Sequence, residues 1–202
     1  MTSVTRVTSL RSIKKDAARS ALGDAARRVV LERGLDRVTV REIASEVGVS
    51  PRTFNNYFSS KEEAVFASAF DRAGRVADGL RRRPITENLW HSLTEAFLEQ
   101  FAPEGHLGEG MLVQARLVAE NPRLLSEQLR VYAAIEQMLA EQVAERLGSN
   151  RSDVFAHLVS ATAVTAARVA FDSWRDRGDD NPFRPVLEAA LRQAGNGFGA
   201  TA

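Results

Sequence analysis

Cysteine is absent from this chain, which excludes disulfide frameworks, thiolate metal sites and cysteine nucleophiles. Long apolar runs are absent as well. The longest uncharged stretch of the C-terminal half, Val154 to Ala167, holds 14 residues, against about 20 for a membrane-spanning helix. The opening residues, MTSVTRVTSLRSIKKDAARS, lack the apolar core of a secretory signal. A cytoplasmic protein with no membrane partner is expected. Alternating β-branched runs are missing too, apart from Val38-Thr39-Val40, which is too short for a strand. No glycine-rich phosphate loop and no Gly-x-Ser-x-Gly elbow occurs, so no enzyme is expected. Histidines are few. Glu87 and His91 stand four apart, as do Asp153 and His157, but a di-iron bundle needs Glu-x-x-His spacing and further carboxylates. No metal and no cofactor is expected.

What is present is ordinary in amount and uneven in place. Of 202 residues, 44% are hydrophobic and 26% charged, as in a soluble globular chain. The net charge of +1 hides an asymmetry: residues 1–60 carry 11 basic and 6 acidic side chains, and residues 61–202 carry 16 and 20. A basic first quarter suits contact with a polyanion, unless the imbalance is chance. Helical spacing runs throughout. Ala18, Leu22, Ala25 and Val29 line one face of a helix from Ser12 to Arg33. Thr39 with Glu42, and Ser60 with Glu63, have capping-box spacing. They open a short second helix and a long one from Lys61 to Arg82. Ser50-Pro51 opens a third short helix between them. Further helices are expected from Thr86 to Phe101, Gly110 to Glu120, Pro122 to Leu147, Ser152 to Arg177, and onward from Pro182. The expectation is an all-α fold of about nine helices.

The informative segment is VTVREIASEVGVSPRTFNNYF, residues 38–58. Two short amphipathic helices are joined by Gly48-Val49-Ser50, and Gly48 suits the sharp turn. Val40, Ile43, Ala44, Val47 and Val49 form the expected inner face, closed by Phe54 and Phe58. The outer face of the second helix then carries Arg52, Thr53, Asn55, Asn56 and Tyr57, with no acidic residue between Gly48 and Ser60. Arg pairs bidentately with guanine and Asn with adenine, and Thr offers its methyl to thymine. A Tyr hydroxyl hydrogen-bonds phosphate.

Residues 39–66, TVREIASEVGVSPRTFNNYFSSKEEAVF, resemble the DNA-binding domain of the TetR family of bacterial transcriptional regulators. The resemblance implies a three-helix helix-turn-helix domain with an N-terminal arm over residues 1–60. It further implies a helical effector-binding and dimerisation domain over residues 61–202. It implies a homodimer, usually a repressor, that binds a palindromic double-stranded DNA operator and is released by a small-molecule effector. Lys61 becomes a phosphate ligand, Arg41 a second one, and Thr39 a cap whose hydroxyl also reaches phosphate. The bland reading of both cations is solvated side chains. Arg6, Arg11, Lys14 and Lys15 would form either a DNA-following arm or a solubilising tail. Asn55-Asn56 departs from the bulkier or aromatic pair common before Tyr-Phe in the family.

The helix 152–177 is apolar almost all round until Arg168, which suits burial on two sides. Ala166 and Val169 are placed in a dimer seam with the last helix. Arg168 and Asp172 are spaced to pair with each other. Effector candidates are Trp90, Phe97, Phe101, Met111, Gln114, Tyr132 and Glu136, against the reading that most are core. The alternative for the whole chain is a helical ligand-binding protein or enzyme whose N-terminal helices only pack.

Overall fold

The computed structural model describes residues 10–101, 109–177 and 182–197, and these are helical with no strand among them. The chain divides into two compact units between Ala69 and Phe70.

The first unit is built on α1 (Leu10–Arg33), which starts two residues before the expected Ser12. Arg11, Lys14 and Lys15 therefore belong to helical backbone rather than to an arm; Arg6 lies outside the described residues. Leu22, Ala25, Ala26, Val29 and Val30 form the buried stripe of α1. A short 3-10 turn, Leu35–Arg37, leads to α2 (Val40–Glu46) and α3 (Pro51–Asn55). The helix expected from Lys61 to Arg82 is two helices, α4 (Lys61–Val65) and α5 (Ala67–Arg82), broken at Phe66 with φ −97° and ψ 4°. Ala64, Val65, Phe66 and Ala67 are all buried. A straight helix buries a stripe, not four residues in a row, and the bend lets all four face the core. Because α4 packs on α1, the unit extends beyond residue 60 to Ala69.

The second unit holds α6 (Leu89–Leu98), α7 (Glu109–Glu120), α8 (Pro122–Leu147), α9 (Val154–Arg177) and α10 (Phe183–Asn196), with most of α5. The described helices therefore number ten, one more than expected, the extra one arising at Phe66. Side-chain caps set the boundaries. Asn88, not Thr86, opens α6 by accepting from the His91 amide, and Asn121 opens α8 with Pro122 in the first turn. α9 packs against both α8 and α10. Trp90 on α6 donates its indole N–H to the Leu191 carbonyl of α10 at 2.9 Å. Its ring lies over Gly195, where a Cβ would come within 2.2 Å of Nε1. Phe183 gathers Phe101, Phe171 and Trp174 around it at ring separations of 5.0, 6.2 and 6.0 Å.

One polar cluster ties α8 to the turn between α5 and α6. The Arg146 guanidinium donates to the carbonyls of Leu80, Arg83, Pro84 and Glu87 and to Ser92 Oγ. It thereby satisfies carbonyls that the end of α5 leaves open. Beside it, Arg83 holds the Glu87 carboxylate at 2.5 and 2.7 Å, and Ser92 Oγ donates to the same carboxylate. The bonds from Arg83 and then Ser92 lower the Glu87 pKa from 4.5 to about 2. A depressed folded-state pKa means stabilisation that is present above the unfolded value and lost as pH falls through the folded one. Glu87→Gln should therefore lower the melting temperature at neutral pH. The gap from wild type should close between about pH 4.5 and pH 2, read by circular dichroism melts across that range.

Candidate nucleic-acid interface

The helix-turn-helix is assembled from local chemistry. Thr39 Oγ1 accepts from the Glu42 amide at 3.3 Å, while the Glu42 carboxylate accepts from both the Thr39 amide and its hydroxyl at 2.8 Å. This reciprocal box fixes the start of α2. The same bonds, led by that from the Thr39 hydroxyl, lower the Glu42 pKa. The turn between the helices places Gly48 at φ +70°, where a Cβ is disfavoured. The Val49 amide then returns to the Ala44 carbonyl at 3.0 Å. Ser50 caps α3 by accepting from the Thr53 amide at 3.1 Å, and Pro51 takes the first helical position.

Burial sorts the five-residue recognition helix and the residues behind it into two sets. Phe54 and Phe58 are inside, their rings 5.5 Å apart, with Arg19 stacked over Phe58 at 5.1 Å. Ile43 and Ala44 are buried with them, while Val40, Val47 and Val49 are half-buried. Arg52, Asn55 and Asn56 are exposed, and Thr53 and Tyr57 half-exposed. The Thr53 hydroxyl shares a 2.9 Å bond with Ser50 Oγ. Asn56 closes α3 as its C-cap, so it and Tyr57 lie just past the helical turns. Arg41 is exposed on α2. The segment thus presents a guanidinium, two amides and a phenol outward around two buried rings, the donor and acceptor set that reads base edges and phosphates.

Lys61 stands apart from this set. Its ammonium is part-buried and donates to the carbonyls of Leu35 at 2.7 Å and Val38 at 2.8 Å. Sequence reading missed this because the partners lie 26 and 23 residues away.

In the second unit the effector candidates separate. Trp90 is occupied by Leu191 and Gly195. Phe97 is buried in α6, and Phe101 stacks edge-on against Phe183. Met111 and Gln114 on α7, and Tyr132 and Glu136 on α8, are each half-buried, and α7 packs on α8. Burial, and then the nearby Asp172, push the Tyr132 phenol above its usual pKa. Asp172 pairs with Arg175 at 3.0 Å and with Arg168 at 3.5 Å.

α9 differs from expectation in one respect. Its outward stripe includes Val154, Phe155, Leu158 and Val169, the last 50% exposed, whereas Ala166 is only 8% exposed and already covered by its own chain. By length and composition alone α9 also matches a bilayer-spanning helix, a match that core helices of soluble proteins share. Its opposite face, Ala156, Ser160, Ala163, Val164, Ala170 and Trp174, is buried. Leu158, roughly three turns before Val169, shares its outward face.

Comparison with known proteins accounts for both units. Residues 22–67 match the family "Bacterial regulatory proteins, tetR family", and residues 87–199 match the MftR C-terminal domain. The chain is 34% identical over 179 residues to the HTH-type transcriptional regulator TcmR of Streptomyces glaucescens, covering 84% of this chain and 78% of that protein. It is 23% identical over 177 residues to the putative mycofactocin biosynthesis transcriptional regulator MftR of Mycobacterium tuberculosis, covering 88% and 89%. In fold it is similar to the fatty acid degradation regulator FadR of Bacillus halodurans, with TM-score 0.56, 16% identity and coverage of 89% and 95%. A TetR-family regulator from Mesorhizobium loti gives TM-score 0.53, again at 16% identity, covering 88% of this chain and 95% of that one. The protein belongs to the TetR family of bacterial transcriptional regulators, and is a DNA-binding regulator, not an enzyme.

Proposed function

We propose that this regulator is a homodimeric repressor that occupies a palindromic operator and leaves it when a small molecule binds the second unit. The observation that carries the reading is the outward set Arg52, Thr53, Asn55, Asn56 and Tyr57 around the buried Phe54. Arg52 and the two asparagines read base edges, Tyr57 binds phosphate, and Arg41 adds a second backbone contact. The seam between protomers is formed by α9 and α10 of each, with the outward stripe of α9 at its centre. The half-buried Met111, Gln114, Tyr132 and Glu136 of α7 and α8 mark the side from which an effector acts. Effector binding shifts the dimer only by its difference in affinity between the two geometries. The cytoplasm, where the chromosome lies, is the place of action.

Selection of bound duplexes from a random library tests this directly, since it yields the operator and its symmetry together. An asymmetric product, or none, would sink the reading. On the selected operator, Arg52→Ala should cost about 1–3 kcal/mol and relax preference at one position per half-site. Tyr57→Phe should weaken all sequences evenly. Normal gel-shift titrations for both would place recognition elsewhere.

A further inference from the structure

We infer that Lys61 is a positioning residue for DNA recognition, holding the start of α2 and hence the recognition helix, rather than a ligand of the DNA backbone. Its ammonium already meets the Leu35 and Val38 carbonyls at 2.7 and 2.8 Å. Leu35 opens the 3-10 turn, and Val38 follows it and immediately precedes Thr39, the N-cap of α2. The Leu35 carbonyl also takes the Val38 amide, so Lys61 adds a second donor to that acceptor and bridges the two ends of the connector.

A lysine at the first position of a helix is disfavoured by the helix dipole. Glu62 and Glu63 are the expected residues there, and both are present. The lysine gains from leaving the helix axis and crossing to two carbonyls of another segment. α4 is thereby fastened to the entrance of α2, while α4 packs on α1. The capping box at Thr39 fixes the first turn of α2, and the turn at Gly48 passes that orientation to α3. Losing the ammonium frees the entrance of α2: the Val38 carbonyl loses this donor, and the Leu35 carbonyl keeps only the Val38 amide. The recognition surface survives in composition but loses its fixed angle. Two of the ammonium's three N–H bonds are committed to these carbonyls, which places its main contacts in the fold rather than at a phosphate.

The inference rests on the DNA-binding reading, and the experiment separates the two. Amide exchange of the full-length Lys61→Met variant is followed without DNA. Binding to the selected operator and to a scrambled duplex is followed over a range of salt. Positioning predicts faster exchange over Thr39–Ala44, by about tenfold, and a specific-to-nonspecific ratio reduced about tenfold. It also predicts a salt slope equal to wild type and an unchanged affinity for the scrambled duplex. Lys61→Arg, whose guanidinium can reach both carbonyls, should restore the ratio. A phosphate ligand predicts instead a slope smaller by about one, equal losses on both duplexes and unchanged exchange. That result overturns the inference, as does no change in any readout. Lys61→Gln keeps a donating nitrogen without the charge and serves for the same slope measurement if Lys61→Met does not fold. Unfolding of both variants would make the residue a general fold element and overturn the inference as well.

Discussion

A dimer that dissociates at micromolar concentration is the expected result of replacing Leu158 or Val169 by glutamate, with operator affinity reduced about 100-fold or more. Both residues stand on the outward stripe of α9, at 62% and 50% exposure. With Val154 and Phe155 they form an apolar surface along one face, of the kind that marks an interface. An interface between identical subunits related by a two-fold axis meets each substitution twice. Two carboxylates then face an apolar seam, where an unpaired charge is costly to bury. In the single chain the same carboxylates lie in water, so melting of the separated subunits should shift by no more than about 0.5 kcal/mol. Ala166→Glu gives the contrast: at 8% exposure it places its charge inside its own chain, and lost stability rather than clean dissociation is expected. Sedimentation velocity on all three variants distinguishes these outcomes. Dimers of Leu158→Glu and Val169→Glu with wild-type affinity would move the seam away from α9.

What the sequence made legible was the chemistry of near neighbours. Thr39 with Glu42, Ser50 before Pro51, Ser60 with Glu63, and Asn121 before Pro122 each place the cap and its partner within four residues. All four caps form. The split of the 38–58 segment into buried Phe54 and Phe58 and an outward polar set was equally local, because the four-residue spacing of the two rings sets the inner side even where Asn56 to Phe58 run past the helical turns. What stayed hidden depends on contacts far along the chain. The break at Phe66 follows from burying four residues in succession, which no periodicity rule anticipates. Trp90 reads as a pocket residue until the Leu191 carbonyl, 101 residues away, is beside it. Arg146 gave no local sign that its guanidinium would close the turn between α5 and α6. Ala166 lies on the flank of α9, and only the arrangement of α8 and α10 decides that its own chain covers it.

Inserting half a helical turn between the two halves of the operator should reduce binding to the non-specific level, a loss of about 1,000-fold or more. Each subunit offers one recognition helix of five residues and the two that follow it, with Arg52, Asn55 and Asn56 fully outward. So few base contacts cannot single out one site among a genome's competing sequences. Two subunits related by a two-fold axis double the contacts, and symmetric protein selects near-symmetric DNA. Half-sites should then lie about 34–36 Å apart, one turn of the duplex, or a multiple of that. An insertion of about five base pairs turns the second half-site to the far face of the duplex. The second subunit is then left with phosphate contacts alone, and these carry no sequence information. An insertion of a full turn, about ten base pairs, restores the face but lengthens the span. A seam as long and apolar as the stripe from Val154 to Val169 resists spreading, so affinity should stay low there too. Footprinting on the spacer series reads all three cases, and undiminished protection of the half-turn duplex would refute the two-fold arrangement while leaving the single-subunit contacts of Arg52 intact.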